Sequence, residues 1–196
     1  MTARTRPDRR QQILQVLAGE LELHPGTRIT TASLAKAVGV SEAALYRHFA
    51  SKAKMFEALI DFAEESVFSL VNKIIEKESH ADTRCDHITQ LLLKFSEQNP
   101  GITRVLLGDA LVGENERLRT RVSKFFDRIE MQLKQILREA NLGDGPRAIQ
   151  TIDITANQIM ALIEGRMSQF VRSNFKKKPT VFMEDQWLVL KTGLFK

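Results

Sequence analysis

Hydroxyl, carboxylate, imidazole and guanidinium side chains are grouped between residues 30 and 52, where their types suit contacts to a nucleic acid. Phosphate oxygens accept hydrogen bonds from hydroxyls and cations, and such contacts position a protein on DNA without reading its sequence. The residues that we predict for phosphate contacts are Thr30, Thr31, Tyr46 and Lys52. The residues that can face base edges are Ser41, Glu42, Ala44, Arg47 and His48. Arg47 is the strong bidentate donor to guanine in this set, and Ala44 can touch a thymine methyl.

Several of these side chains also have an ordinary structural role open to them. Tyr46 suits a partly buried packing position, Arg47 suits a solvated surface charge, and His48 suits a backbone or phosphate contact better than a base. Because the set contains few long side chains, we expect sequence-dependent DNA shape to share the specificity.

Two short helices joined by a turn at Gly39 are predicted to position these side chains. Thr30 and Ser41 are suitable N-cap residues for the two helices. The apolar residues that would pack the pair together and against a third helix are Leu34, Ala35, Val38, Val40 and Leu45. A helix, a glycine-containing turn and a second helix form the unit that places its second helix in the DNA major groove. An ordinary helical hairpin with capped ends is the alternative.

The charge distribution favours the DNA-binding interpretation. Residues 1–56 contain nine Lys and Arg against four Asp and Glu, a net charge of +5, which is also the net charge of the whole chain. Residues 57–196 are therefore neutral, and a sequence-independent attraction to phosphate is confined to the segment with the helix pair. We predict a DNA-binding domain over residues 1–54 and a second domain over residues 55–196.

The whole chain is predicted to be all-α, because strand-like alternation is absent and apolar residues recur at three- and four-residue spacing. Predicted helices beyond the pair cover about residues 9–22, 52–78, 83–98, 102–111, 115–141 and 149–175, with a last helix around Trp187. No apolar run approaches the ~20 residues that span a bilayer. Cys85 is the single cysteine, which favours a reducing cytoplasm.

Catalytic and metal sites are not predicted. His80, Cys85 and His87 lie near one another, but their spacing matches no common zinc pattern. The chain contains no Gly-x-Ser-x-Gly motif and neither of the glycine-rich phosphate-binding patterns. We therefore expect neither an enzyme nor a cofactor.

Two features of the second domain suggest contacts with other proteins. The apolar stripe of the helix predicted over about residues 52–78 consists of Met55, Phe56, Leu59, Ile60, Ala63, Val67, Leu70, Val71 and Ile74. Phe62 lies about 100° from the centre of this stripe, and Leu91 and Leu93 flank the main face of the next helix. A groove between these helices can take a partner peptide, although an isolated exposed aromatic is usually without function. Small residues spaced along one side of a later helix, Ala161, Gly165 and Ser168, predict close approach of a second copy.

The segments Thr30–Ala35 and Val38–Lys52 resemble the TetR family of bacterial regulators. Further segments resemble a nucleoid occlusion branch of that family over nearly the whole chain: Asn99–Arg104, Phe125–Glu130, Gln135–Glu139, Glu164–Gly165 and Phe170–Ser173. The resemblance implies a TetR-like homodimer, associated with the nucleoid, that binds palindromic DNA sites. It also implies binding to the tubulin-like division protein FtsZ, whose filaments it keeps from assembling over unsegregated DNA.

The resemblance places the FtsZ contact at Phe62, Leu91, Lys94, Phe95 and Asn99. Gln98 and Leu70 occupy positions that are commonly basic in the family, and Asp109 replaces a usual His. An acidic partner tail would therefore meet less positive charge here, with Lys94 as a compensating cation.

A ligand-responsive TetR-type transcriptional repressor is the alternative function. Such a repressor needs an internal pocket with convergent polar and aromatic groups. The second domain contains no tyrosine and a single tryptophan, Trp187, so we expect no small-molecule effector. We therefore take the DNA-binding division inhibitor as the leading interpretation and the repressor as the alternative.

Overall fold

The computed structural model describes residues 8–196, so Arg4 and Arg6 of the predicted basic segment lie outside the described residues. The chain is all-α, as predicted. The helices of the described part are α1 (Arg9–Leu23), α2 (Thr31–Val38), α3 (Glu42–His48), α4 (Lys52–Lys77), α5 (Ala81–Gln98), α6 (Pro100–Leu106), α7 (Glu116–Ala140), α8 (Ile152–Arg172) and α9 (Met183–Leu194). A short 3-10 helix, Asp109–Leu111, lies between α6 and α7.

Local capping explains where α2 and α3 begin and end. The Thr30 hydroxyl accepts a hydrogen bond from the Ser33 backbone N–H at 3.0 Å, and Ser33 Oγ accepts one from the Thr30 N–H at 3.1 Å. Gly39 ends α2 with a φ of 76°, a conformation that glycine adopts at little cost. Ser41 Oγ accepts from the Ala44 N–H at 3.2 Å and starts α3. The helix pair therefore forms as its caps predict.

The helix pair packs on α1 through a small apolar core. Its buried residues are Ile13, Leu17 and Leu21 from α1 with Leu34, Ala35, Val38 and Leu45 from the pair. Val40 is partly buried against the same core. Burial of these side chains holds the recognition helix α3 at a fixed angle to α1.

The long helix α4 runs from the predicted DNA-binding domain into the predicted second domain. Its 26 residues span about 39 Å. Leu70, expected on its buried stripe, is 42% exposed, whereas Phe68 is buried with its ring centroid 5.7 Å from that of Phe125 on α7. The stripe prediction was wrong at Leu70 because α7 packs against α4 through Phe68, and Leu70 lies outside this contact.

A second connection between the domains is the contact of α1 with α6. Arg104 on α6 is 2% exposed, and its Nη1 donates to the carbonyl oxygens of Leu21 at 2.6 Å and His24 at 3.1 Å. At Gly101 the two backbones approach so closely that a Cβ would lie 2.0 Å from the Ala18 carbonyl oxygen. The guanidinium therefore satisfies carbonyl groups at the end of α1 that have no partner within the helix.

Two predicted helices are shorter than expected. The sixth ends at Leu106, before Gly108 turns the chain with a φ of 77°. The eighth begins at Ile152 rather than near residue 149, because the Ile149 N–H donates to the Leu194 carbonyl at 2.8 Å and Thr151 caps the helix. The chain before α8 thus pairs with the C-terminal segment. None of the helices within residues 8–196 is long and apolar enough to cross a membrane.

Candidate nucleic-acid interface

The recognition helix α3 presents its predicted base-reading residues to solvent. Leu45 is its single buried residue and faces α1 and α2. Glu42, Arg47 and His48 are exposed, and Ala44 is partly buried. Tyr46 is 46% exposed, so its ring is about half accessible to a partner. The side chains on the solvent side are therefore free to enter a groove.

Hydrogen bonds within the helix pair restrain several of the predicted contacts. Ser41 Oγ accepts a hydrogen bond from the Ala44 N–H and so caps α3. The Ser41 hydroxyl can still donate its hydrogen to a DNA acceptor. Thr31 Oγ1 donates to Glu42 Oε2 at 2.7 Å. This bond fixes the Glu42 carboxylate at the start of α3, where it can accept from a cytosine amino group. Thr31 thereby orients a predicted base reader.

Two arginines of α1 lie beside the recognition helix, although sequence reasoning counted them only as charge. Arg9 lines a depression together with Arg47 and His48. The Arg10 guanidinium carbon lies 4.6 Å from the centroid of the Phe49 ring, a cation–π contact. The Arg9–Arg10 pair at the start of a helix was the signal that could have identified them. These cations extend the positive surface from α3 to the N-terminus of α1.

Lys52, predicted to contact phosphate, is engaged within the protein. Its Nζ lies 2.6 Å from Glu114 Oε1, and its side chain is 17% exposed. Arg28 Nε lies 3.5 Å from the same oxygen. Glu114 is 62 positions away from Lys52, so spacing within one helix could not indicate this pair.

The residues predicted for the partner contact lie together where α4 meets α5. Phe62 is 48% exposed, and its ring centroid is 6.4 Å from that of Phe95, which is 9% exposed. Leu91 is partly buried, and Lys94 is exposed. The Asn99 side chain donates to the Phe95 carbonyl oxygen at 2.9 Å and so fixes the end of α5. We call Phe62, Leu91, Lys94, Phe95 and Asn99 the α4–α5 face.

Leu93 does not belong to this face. The sequence placed it on a flank of α5 beside a groove, but it is fully buried. The prediction was wrong because α5 packs against helices on several sides, including α4, α7 and α8, so an apolar residue off its main stripe is also enclosed. The exposed apolar surface therefore centres on Phe62.

The three departures from the family pattern have different surroundings. Gln98 and Leu70 are exposed, so neither supplies positive charge to the surface. Asp109 forms an ion pair with the buried Arg104, and its negative charge is therefore compensated. Of the charged residues predicted for the α4–α5 face, Lys94 is the available cation.

A second exposed surface runs along α8 and α9. Ala161, Gly165 and Ser168 are all exposed, and a Cβ added at Gly165 would meet nothing within 4 Å. On α9, Leu188 is 63% and Val189 is 75% exposed. The small side chains on α8 and the exposed apolar side chains on α9 are suited to close packing with other helices.

The residues considered for metal binding do not form a ligand set. Burial raises the pKa of the Cys85 thiol to about 12, which disfavours the thiolate that binds metals. Within residues 8–196, no three His, Cys, Asp or Glu side chains are grouped to hold a metal ion. Depressions in the second domain are lined by charged groups, among them Arg84 with Glu139 and Asp82 with Lys191.

Comparisons with known proteins agree with this arrangement. A profile described as bacterial regulatory proteins, tetR family, matches residues 13–59, and an SlmA-like profile described as tetracyclin repressor-like, C-terminal domain, matches residues 79–195. The nucleoid occlusion factor SlmA of Shewanella woodyi is 56% identical over 194 residues, 99% of this chain and 98% of that protein. The protein of the same name from Marinomonas sp. is 57% identical over 187 residues, 95% of each chain.

The fold is also similar to that of distant regulators. The crystal structure of the MbdR regulator from Azoarcus sp. CIB matches with a TM-score of 0.80 and 16% sequence identity, covering 95% of this chain and 99% of that one. Identity at this level shows the fold alone.

Proposed function

The chain belongs to the TetR family, in the branch of the nucleoid occlusion factor SlmA, and on this premise we propose that its dimer binds palindromic chromosomal sites and inhibits FtsZ assembly over the nucleoid. The family resemblance predicted from the sequence is confirmed over nearly the full length. The matching profiles describe regulatory proteins rather than enzymes.

DNA binding by residues 1–54 is supported by the solvent-facing set on α3 and by the arginines on α1. We assign base contacts to Glu42, Ala44, Arg47 and His48, and Ser41 supports them from the helix start. Phosphate contacts are assigned to Thr30, Tyr46 and Lys52, with Thr31 orienting Glu42. Palindromic sites follow from a two-fold dimer, because each protomer presents one recognition helix to one half-site.

We assign dimerisation and partner binding to residues 55–196. The exposed small residues of α8 and the exposed Leu188 and Val189 of α9 form the surface that a second copy would cover. The TetR-type relationship supports a dimer, and the apolar character of this surface supports its location. The α4–α5 face is separate from this surface in sequence and lies on other helices.

The observation that carries the FtsZ proposal is the exposed Phe62 ring beside Phe95. The apolar surface of a half-exposed aromatic side chain stays in contact with water unless a partner covers it, so such a ring is suited to a protein contact. The extended tail of FtsZ can lay an apolar side chain against this pair, while Lys94 meets acidic groups of the tail. Phe62 of the α4–α5 face lies on the same long helix as Lys52 and almost three turns away from it, so one molecule can hold DNA and partner together.

Three measurements test the proposal. Fluorescence anisotropy with an FtsZ tail peptide should show saturable binding to the DNA-bound dimer, and sedimentation of FtsZ polymers should show less polymer in its presence. Genome-wide mapping of bound DNA should find many sites scattered over the chromosome. A single bound site beside a divergent gene, with no effect on FtsZ polymers, would contradict the proposal and identify a repressor instead.

A further inference from the structure

Glu114 lies in the turn before α7, and its carboxylate is held by two cations of the DNA-binding domain. Its Oε1 is 2.6 Å from Lys52 Nζ and 3.5 Å from Arg28 Nε. Arg28 Nη2 also donates to the Gly113 carbonyl oxygen at 3.4 Å. The side chain of Glu114 is 9% exposed, so the carboxylate is enclosed by this contact instead of being solvated.

A carboxylate in this position offers Lys52 and Arg28 the same kind of anionic oxygen that a DNA phosphate offers. Ammonium and guanidinium groups donate charge-assisted hydrogen bonds to either anion. Lys52 is the first residue of α4, directly after the recognition helix and its cap, and its ammonium is already paired. A phosphate that contacts Lys52 must therefore displace Glu114 or share its cation with a second negative charge.

We propose that Glu114 is an intramolecular competitor of DNA phosphate for Lys52 and Arg28, an autoinhibitory contact made by the second domain on the DNA-binding surface. The inference rests on the proposed DNA-binding function, because it assumes that Lys52 contacts phosphate. The second domain thereby lowers the affinity of the first for any duplex. Since phosphate contacts carry no sequence information, the contact lowers binding to random and palindromic DNA by the same factor.

The test compares two neighbouring charge removals. Glu114→Gln should bind random and palindromic duplexes about three- to tenfold more tightly than the unaltered protein at low salt, because two cations lose their internal partner. Glu116→Gln is the matched control, since Glu116 is exposed and forms none of the ion pairs found among residues 8–196. This variant removes the same charge two residues away, and we expect its DNA affinity to change by less than twofold. Raising the salt concentration should reduce the gain of Glu114→Gln.

Two further variants separate the possible failures. Glu114→Asp keeps the charge but withdraws the carboxylate by one methylene, and it should give a smaller gain than Glu114→Gln. In a Lys52→Ala background, the gain from Glu114→Gln should shrink to the part that depends on Arg28. Thermal melting confirms that each variant is folded.

The outcomes are distinct. If Lys52→Ala weakens DNA binding but both Glu114 variants bind like Glu116→Gln, the proposed interface stands and the competition is overturned. If Lys52→Ala leaves DNA affinity and its salt dependence unchanged, Lys52 does not contact phosphate, and the competition fails together with that part of the interface. Tighter binding by Glu114→Gln alone, reduced in the Lys52→Ala background, supports the competition.

Discussion

At the scale of single residues, exposure and hydrogen bonding distinguish the side chains that we propose to recognise DNA from those that only hold the fold. On α3, Leu45 faces the core while Arg47 faces solvent, two positions further along the same helix. Glu42 is oriented by Thr31, whereas no hydrogen bond within residues 8–196 restrains the Arg47 guanidinium. Arg47 therefore keeps all of its donors for a bidentate contact.

Arg47→Ala should reduce sequence discrimination more than total affinity. We expect a loss of about 1–3 kcal/mol at one base position of each half-site, since alanine cannot donate to guanine. The measurement is a titration against a set of duplexes in which each base pair of the site is changed in turn. If every substitution keeps its original penalty, Arg47 does not read a base.

Phe62→Ser should separate the two proposed activities. The ring is half exposed, so its removal opens no closed cavity, and we expect the free energy of unfolding to change by less than about 1 kcal/mol. DNA affinity should be unchanged, because Phe62 follows Lys52 by almost three helical turns. Loss of a central aromatic contact should weaken FtsZ tail binding by about 2 kcal/mol or more.

Thermal melting, DNA titration and tail binding on one protein preparation measure all three effects of Phe62→Ser. Phe68→Ser is the control for a core aromatic, because Phe68 is buried on the same helix. This substitution should lower Tm strongly. A comparable fall of Tm in Phe62→Ser would place Phe62 in the core, and undiminished tail binding would remove it from the α4–α5 face.

At the scale of helices, close contacts connect the two domains at two places. The α1–α6 contact contains Gly101 and the buried Arg104, while ion pairs join α4 to the beginning of α7. One ion pair joins Lys52 to Glu114, just before α7. Further along the two helices, Arg121 Nη2 lies 2.6 Å from Oδ1 of Asp61, the residue before Phe62. Both contacts depend on side chains that lie far apart in sequence.

The α1–α6 contact predicts opposite effects for two glycine-to-alanine changes. Gly19→Ala, on α1, meets nothing within 4 Å, and it should raise stability by about 0.5–1 kcal/mol through helix propensity. Gly101→Ala places its Cβ 2.0 Å from the Ala18 carbonyl oxygen, so the helices must separate. We expect it to lower stability by about 1–3 kcal/mol. Denaturant unfolding measures the stability of both variants. Equal effects of the two substitutions would contradict the close approach of α1 and α6.

The helices could be predicted from the sequence because their signals are local. Thr30, Gly39, Ser41 and Ser51 mark helix ends through hydrogen bonds or backbone angles within a few residues, and the structure places those ends as predicted. The solvent-facing set on α3 and the exposure of Phe62 also follow from helical periodicity.

Features that depend on long-range packing could not be predicted in this way. Leu93 and Leu70 were misplaced because their burial depends on which neighbouring helices cover them. The pairing of Glu114 with Lys52 joins residues that are 62 positions apart, and the contact of Arg104 with Leu21 joins residues 83 positions apart. Sequence spacing within a single helix contains no information about such pairs.

At the scale of the whole molecule, the proposed function requires two copies with a fixed separation of their recognition helices. A two-fold dimer through α8 and α9 would bury the exposed Leu188 and Val189 and use the open space at Gly165. The separation of the two α3 helices then depends on α4, which follows α3 in the chain and packs on α5, α6 and α7. Affinity for a palindrome exceeds affinity for one half-site because the second contact is intramolecular.

Gly165→Leu should convert the dimer to a monomer that binds a palindrome poorly. Gly165 is exposed and a Cβ at this position meets nothing within 4 Å, so the fold and Tm of the protomer should remain. In the dimer the same side chain would occupy the space of a close helix contact, and overpacking there costs about 1–3 kcal/mol per site, counted twice by symmetry. Sedimentation velocity measures the oligomeric state, and titrations with a palindrome and with a single half-site measure the loss of the intramolecular contact. Gly165→Ala, which adds only a methyl group, is the matched control and should stay dimeric over the same concentration range. An intact Gly165→Leu dimer with unchanged affinity for the palindrome would move the dimer contact away from this part of α8.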